Sequence, residues 1–363
     1  MPRITATILP ALLFLATAAP ALAEPAGEVE DLRQRLEKLE ARHEEPEGFA
    51  IAAGKKILTV SGELEINAAY TDTSDKPAES NFTVKTAQIN FDAAVSDRVK
   101  GRLALLHEEG EEPVVNIDEG YIAYTRPEIL GGSLKVTAGR AYLPFGAFVS
   151  AMVSDPLTLE LGEIRKTALL TGWENGRIAL QLAAFNGDRD TSGTNVIDNG
   201  VVSVTFAPSE QLSFGLSYLC DLAETKGKIL GEATAAYEQN VNAASANISL
   251  KFAPVTVTIE YLGALREFSE AMLADPAKAK ELTGRKPQAW FAEVGYAPSK
   301  DWAVSGRYEK AKDYQDDVAR YGATVSYGLD TNTTLSLEYL YSDFARKAED
   351  TASQVTMQLA VEF

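Results

Sequence analysis

Val60-Ser61-Gly62-Glu63-Leu64-Glu65-Ile66-Asn67-Ala68-Ala69-Tyr70 alternates apolar and polar residues almost without a break. A period of two places Val60, Leu64, Ile66, Ala68 and Tyr70 on one face of a β-strand and Ser61, Glu63, Glu65 and Asn67 on the other. The pattern recurs to the end of the chain. Ala87, Ile89, Phe91, Ala93 and Val95 alternate with Gln88, Asn90 and Asp92, and Val255, Val257, Ile259 and Tyr261 with Thr256, Thr258 and Glu260. Leu335, Leu337, Tyr339 and Tyr341 alternate with Ser336 and Glu338, and Val355, Met357, Leu359, Val361 and Phe363 with Thr356, Gln358 and Glu362. Each strand has one apolar and one wet face.

Sixteen such stretches are read, near 57–70, 83–95, 99–107, 116–125, 132–141, 167–173, 176–185, 199–206, 211–219, 243–252, 255–264, 288–296, 301–310, 319–327, 333–342 and 354–363. The connections between them alternate between short turns, such as Pro208 to Glu210, and long loops, such as 71–82 and 220–242. An even number of strands with all long loops on one side suits a membrane barrel, whereas a soluble β-sandwich has no reason to segregate its loops. The expected fold is therefore all-β, a transmembrane antiparallel β-barrel of about sixteen strands within residues 49–363. Tyr70, Phe206, Phe252, Trp302, Tyr308, Tyr327 and Tyr341 lie toward strand ends, as interfacial girdles do. Phe363 at the end of an alternating strand resembles the signal by which barrel-assembly machinery recognises such chains, and is read as that signal.

The first residues set the compartment. Arg3, an apolar run from Ile8 to Ala19 and Ala21-Leu22-Ala23 read as a signal peptide over 1–23. Residues 24–48 form a separate periplasmic segment in this reading, because Val29, Leu32, Leu36 and Leu39 fall at the alternating spacings of three and four of a short coiled-coil helix. Two heptads are too short to stand alone in water. The seam over residues 27–45 is expected to join copies, a homotrimer being one such assembly, or to meet another envelope component.

Composition excludes several classes. With 52 acidic against 34 basic residues and a formal charge of -18, the chain is a poor partner for nucleic acid. No later apolar run approaches the roughly 18 residues of a spanning helix. Cys220 is the only cysteine, and His43 and His107 are the only histidines, so neither a disulfide nor a Cys- or His-rich metal site is expected. No glycine-rich phosphate loop appears. The chain is read as a non-enzyme without catalytic residues, metal or cofactor, its partners being outer-membrane lipid and a small solute, and its place the outer membrane of a Gram-negative cell.

One long connection, 142–166, departs from the others in being rich in proline and apolar residues. Such a segment should fold against something, and the lumen tolerates irregular backbone. Pro144, Phe145 and Pro156 are read as its packing residues. Its polar members Arg140, Asp155, Glu160, Glu163, Arg165 and Lys166 are read as the constriction and selectivity residues, with Asp155, Glu160 and Glu163 facing the passage and favouring cations. Sealing the barrel mouth or packing into a trimer interface are the alternative placements. Lys100, Arg102, Lys251, Glu260, Arg307, Glu309 and Glu338 point inward by alternation, which gives a lumen of mixed sign.

The block GRAYLPFGAFVSAMVSDPLTLELGE at 139–163, with the short coiled-coil start, FNGD at 185–188 and MQLAVEF at 357–363, resembles the LbtU family of siderophore porins. That resemblance implies a sixteen-stranded outer-membrane porin that imports ferric siderophore without a TonB-energised plug. General or anion-type diffusion porins, and a structural or adhesive barrel, are the competing readings.

Overall fold

The computed structural model describes residues 49–53, 56–74, 76–110, 113–188, 196–227, 229–230, 239–270, 273, 276–346 and 351–363. The stretches read as a signal peptide, 1–23, and as a coiled-coil seam at Val29, Leu32, Leu36 and Leu39 lie outside them. The strands are β1 (Phe49–Ala53), β2 (Lys56–Thr73), β3 (Lys76–Ala94), β4 (Val99–His107), β5 (Asn116–Ile129), β6 (Gly132–Tyr142), β7 (Arg165–Glu174), β8 (Ile178–Phe185) and β9 (Asn199–Ser209). They continue as β10 (Leu212–Leu219), β11 (Ala243–Phe252), β12 (Val255–Ala264), β13 (Gln288–Tyr296), β14 (Trp302–Lys312), β15 (Val318–Asp330), β16 (Thr333–Phe344) and β17 (Thr351–Glu362). Short helices, α1 (Leu157–Gly162) and α2 (Pro276–Leu282), sit in two long connections.

From β2 to β17 each strand pairs antiparallel with the next, and β17 returns to β2 with Ala352 opposite Thr73 and Glu362 opposite Glu63. The sheet thus closes into a sixteen-stranded barrel in which β2 and β17 are not left as edges. The small β1, which strand reading missed, folds back on the start of β2 with Phe49 opposite Val60.

Burial is inside out relative to a soluble protein. Ile122, Leu182 and Leu216 are 65, 56 and 64 % exposed, whereas Glu309, Glu338 and Thr324 are at most 2 % exposed. Alternation explains both, since the outward residues meet lipid and the inward ones meet the lumen and its filling. Trp302 stacks on Tyr327 with ring centroids 4.7 Å apart near the short turns, and Tyr321 meets Tyr341 at 4.9 Å nearer the long loops. These pairs fall where girdles are expected.

One expected loop is corrected. The connection read at 71–82 is mostly strand, because β2 and β3 stay paired through Thr71 opposite Glu79 and Thr73 opposite Lys76. Here both faces are wet, so the period-two signal disappears while the backbone ladder, which needs only mutual hydrogen bonding, continues.

Where β17 closes on β2, just past the Glu362–Glu63 pair, Phe363 donates its N–H to Gly62 O at 3.0 Å and accepts from Gly62 N at 2.8 Å. A Cβ on Gly62 would lie 2.6 Å from the Phe363 ring and 2.5 Å from Gln88 O, so only glycine fits beneath the ring. Deleting Phe363, or substituting Gly62→Val, is expected to remove these two hydrogen bonds, about 2 kcal/mol together. The folded, heat-modifiable fraction in the outer membrane should fall in both variants; unchanged yield would show that the seam closes without them.

Candidate functional site

Tyr142 belongs to β6 and Arg165 and Lys166 to β7, so the unusual connection proper is 143–164. It runs along the inner wall of β10 to β16 instead of projecting from the barrel. An irregular segment in a confined space cannot pair its N–H groups with a neighbouring strand, and each needs an acceptor. Inward carboxylates supply them. Glu260 accepts from Ala147 N at 2.6 Å, Phe148 N at 2.9 Å and Thr158 Oγ1 at 3.1 Å. Glu293 accepts from Ser150 Oγ and Ala151 N, both at 2.7 Å. Glu338 takes Val153 N at 2.8 Å and Ser154 N at 3.1 Å, and Glu309 takes Leu157 N at 2.8 Å. Bonds to ionised acceptors are roughly twice as strong as neutral ones.

Arg307 works in the opposite sense. Its buried guanidinium donates to Ser150 Oγ at 2.8 Å, Ser154 O at 2.9 Å and Asp155 O at 3.2 Å, while also facing Glu293 and Glu309. A planar fork of five donors suits such simultaneous recognition of backbone and carboxylate. The wall therefore grips the segment through both its N–H and its C=O groups.

Apolar packing secures the rest. Phe145, Leu157 and Leu161 are fully buried and share one cluster with Leu143, Ile164, Leu219, Leu222, Leu262 and Phe268. Pro156, buried, opens α1 with φ -70°, and Pro144 is half-buried. At Gly146 φ is +84° and a Cβ would strike the Phe148 ring, so that turn requires glycine. Met152 reaches the wall at Gly322, its Cε 3.1 Å from where a Cβ would stand. Between the anchored residues, Ala147, Val149 and Ala151 stay exposed, forming the free side of the loop.

The six polar residues read as selectivity determinants take different places. Asp155 is half exposed and faces Lys85 at 3.8 Å. Glu160 pairs with Arg320 at 2.6 Å and also meets Gln315, while Glu163 pairs with Lys226 at 2.6 Å. Arg165 pairs with Asp118, and the buried Lys166 bonds to Asp188 at 2.5 Å and Glu224 at 2.6 Å. Arg140 keeps a buried Nε with no hydrogen-bond partner among the described residues. Asp155 is the least enclosed of the three carboxylates, because Glu160 and Glu163 are held more closely by their cations at 2.6 Å. Tyr314, buried in the connection after β14, donates to Glu160 O at 2.9 Å, and burial pushes its hydroxyl up to about 12.

Glu260, Arg307, Glu309 and Glu338 point inward as their alternation requires. Glu293, Arg320 and Lys85 were overlooked. The first two carry the same signal, Glu293 lying between outward Trp290 and Val294 and Arg320 beside outward Tyr321. Lys85 sits at a register shift of β3, which breaks simple alternation.

Known proteins share this architecture. A UPF0422 protein of Coxiella burnetii is 25% identical over 324 residues, covering 82% of this chain and 67% of that protein. A UPF0422 protein of Legionella pneumophila is 24% identical over 266 residues, and the chain spans about half (49%) of its length. Among solved structures, the outer-membrane channel DcaP of Acinetobacter baumannii superimposes with a TM-score of 0.63 at 13% identity, covering 87% of this chain and 99% of that one. The anion-selective porin from Comamonas acidovorans gives 0.61 at 12% identity, with 85% and 100% covered. At these identities the likeness is one of fold. Residues 9–347 match the model of the family described as Gram-negative porin, and the chain belongs to that family, an outer-membrane β-barrel with a channel fold.

Proposed function

We propose that this chain is a passive diffusion channel for small solutes whose permeability is set by the loop 143–164. The observation that carries the reading is the grip of Glu260, Glu293, Glu309, Glu338 and Arg307 on the loop backbone, which holds it across part of the lumen. A narrowing built from fixed polymer contacts admits solutes by size and charge without an energy source. In this reading the half-exposed pair of Asp155 and Lys85, 3.8 Å apart, borders the passage. Assembly as a homotrimer through Val29, Leu32, Leu36 and Leu39 belongs to the same reading.

The finer assignment, import of ferric siderophore, is supported by the resemblance carried by residues 139–163. Two measurements test these levels separately. Purified protein in a planar bilayer should conduct, and absence of conductance would remove the channel reading. A strain lacking the protein, given iron only as a defined siderophore, should grow more slowly than its parent; equal growth would remove the siderophore and leave the channel.

A further inference from the structure

Beneath the loop, toward the short turns, cavities of about 180, 190 and 250 Å³ indent the inner wall of β3 to β12. The first two share Ser133, Lys135 and Glu174, and the second and third share Gln181, so together they trace one furrow. Its charge departs from that of the chain. Lys100, Lys135 and Lys251 line it and make no ion pair with a described residue, whereas Arg102 is held by Asp92 at 3.1 Å and Glu119 at 2.8 Å. Glu174 is the one lining carboxylate outside that Arg102 group.

The acidic excess does not reach the furrow for a structural reason. Glu260, Glu293, Glu309 and Glu338 are committed to loop N–H groups, and Glu160 and Glu163 to Arg320 and Lys226. Glu63 and Glu362 face one another at the β17–β2 seam, outside the furrow. Between the lysines the wall offers neutral hydrogen-bonding groups, including Ser203, Thr205, Asn247 and Ser249, and the loop closes it with Pro144, Ala147 and Val149. Ammonium groups act over about 8 Å at physiological salt, and rings of lysine favour anions in pores.

We propose that this furrow is a subsite for small hydroxylated anions in transit, the carboxylate held by Lys100, Lys135 or Lys251 and the hydroxyls by the neutral wall. The proposal rests on the channel reading and names the solute class for it. The test uses the full-length protein in a planar bilayer under a potassium chloride gradient. The reversal potential should lie on the anion side, and added gluconate should block chloride current at lower concentration than acetate. In the variant Lys100→Gln/Lys135→Gln/Lys251→Gln the reversal potential should move toward cations, and half-block by gluconate should need about tenfold more, the order expected when charge-assisted contacts are lost. The control Lys300→Gln, at an exposed turn, should change neither. Wild-type conduction that prefers cations, equal block by gluconate and acetate, or a conducting triple variant identical to wild type would each overturn the subsite while leaving the channel reading intact. A protein that does not conduct would overturn both.

Discussion

Removal of residues 146–160 is expected to raise single-channel conductance by about twofold or more, since current is limited by the narrowest cross-section and this segment lies within the lumen. The deletion takes away the groups bound to Glu260, Glu293, Glu309 and Glu338. Water entering the widened lumen would solvate those carboxylates, so the barrel wall should survive. Folding is checked by heat modifiability of the same preparation. A folded variant conducting like wild type would place the segment off the solute path and remove its role in permeability.

Arg307→Met is expected to loosen the loop without shortening it. The substitution leaves Glu293 buried without its cation, leaves Glu309 only the more distant Arg320 at 3.9 Å, and deprives Ser154 O and Asp155 O of their donors. Breaking one side of a buried ion pair costs about 3–5 kcal/mol. Because the closed wall is held by its own strand ladders, the loss should fall on the loop, seen as frequent steps to a larger open-channel current and as faster proteolysis at 146–156. Arg307→Lys should recover little, a single ammonium being unable to span carboxylates and carbonyls together. Quiet, wild-type-sized current in Arg307→Met would show that the glutamates alone hold the loop.

The barrel was legible because its signal is local: sixteen strands show period two, and the turns that separate them carry glycine, proline and asparagine. Boundaries became obscure where the environment stopped being two-sided, as at Thr71 to Lys76, where both faces of the hairpin are polar. That the 143–164 connection folds back against apolar surface was also visible in its composition. The roles of its charges were not. Glu160 and Glu163 look no different in sequence from the more exposed Asp155, yet their partners, Arg320 and Lys226, lie 160 and 63 positions away in the chain. Pairing across a closed sheet is a property of three dimensions, and period two says only which way a residue points.

The seam between β17 and β2 has a kinetic meaning. Its partners, such as Thr73 and Ala352, are about 280 positions apart, whereas nearly every other strand pair joins immediate neighbours in sequence. Hairpins can form early from local contacts, but bringing such distant segments together carries the largest loop-closure entropy in the molecule. Until they meet, β2 and β17 each present a row of unsatisfied amides and carbonyls that any extended peptide could satisfy. The step most exposed to misassociation is thus the final circularisation, after the individual hairpins have formed, and protection of those two edges is what an assembling copy of this chain needs most.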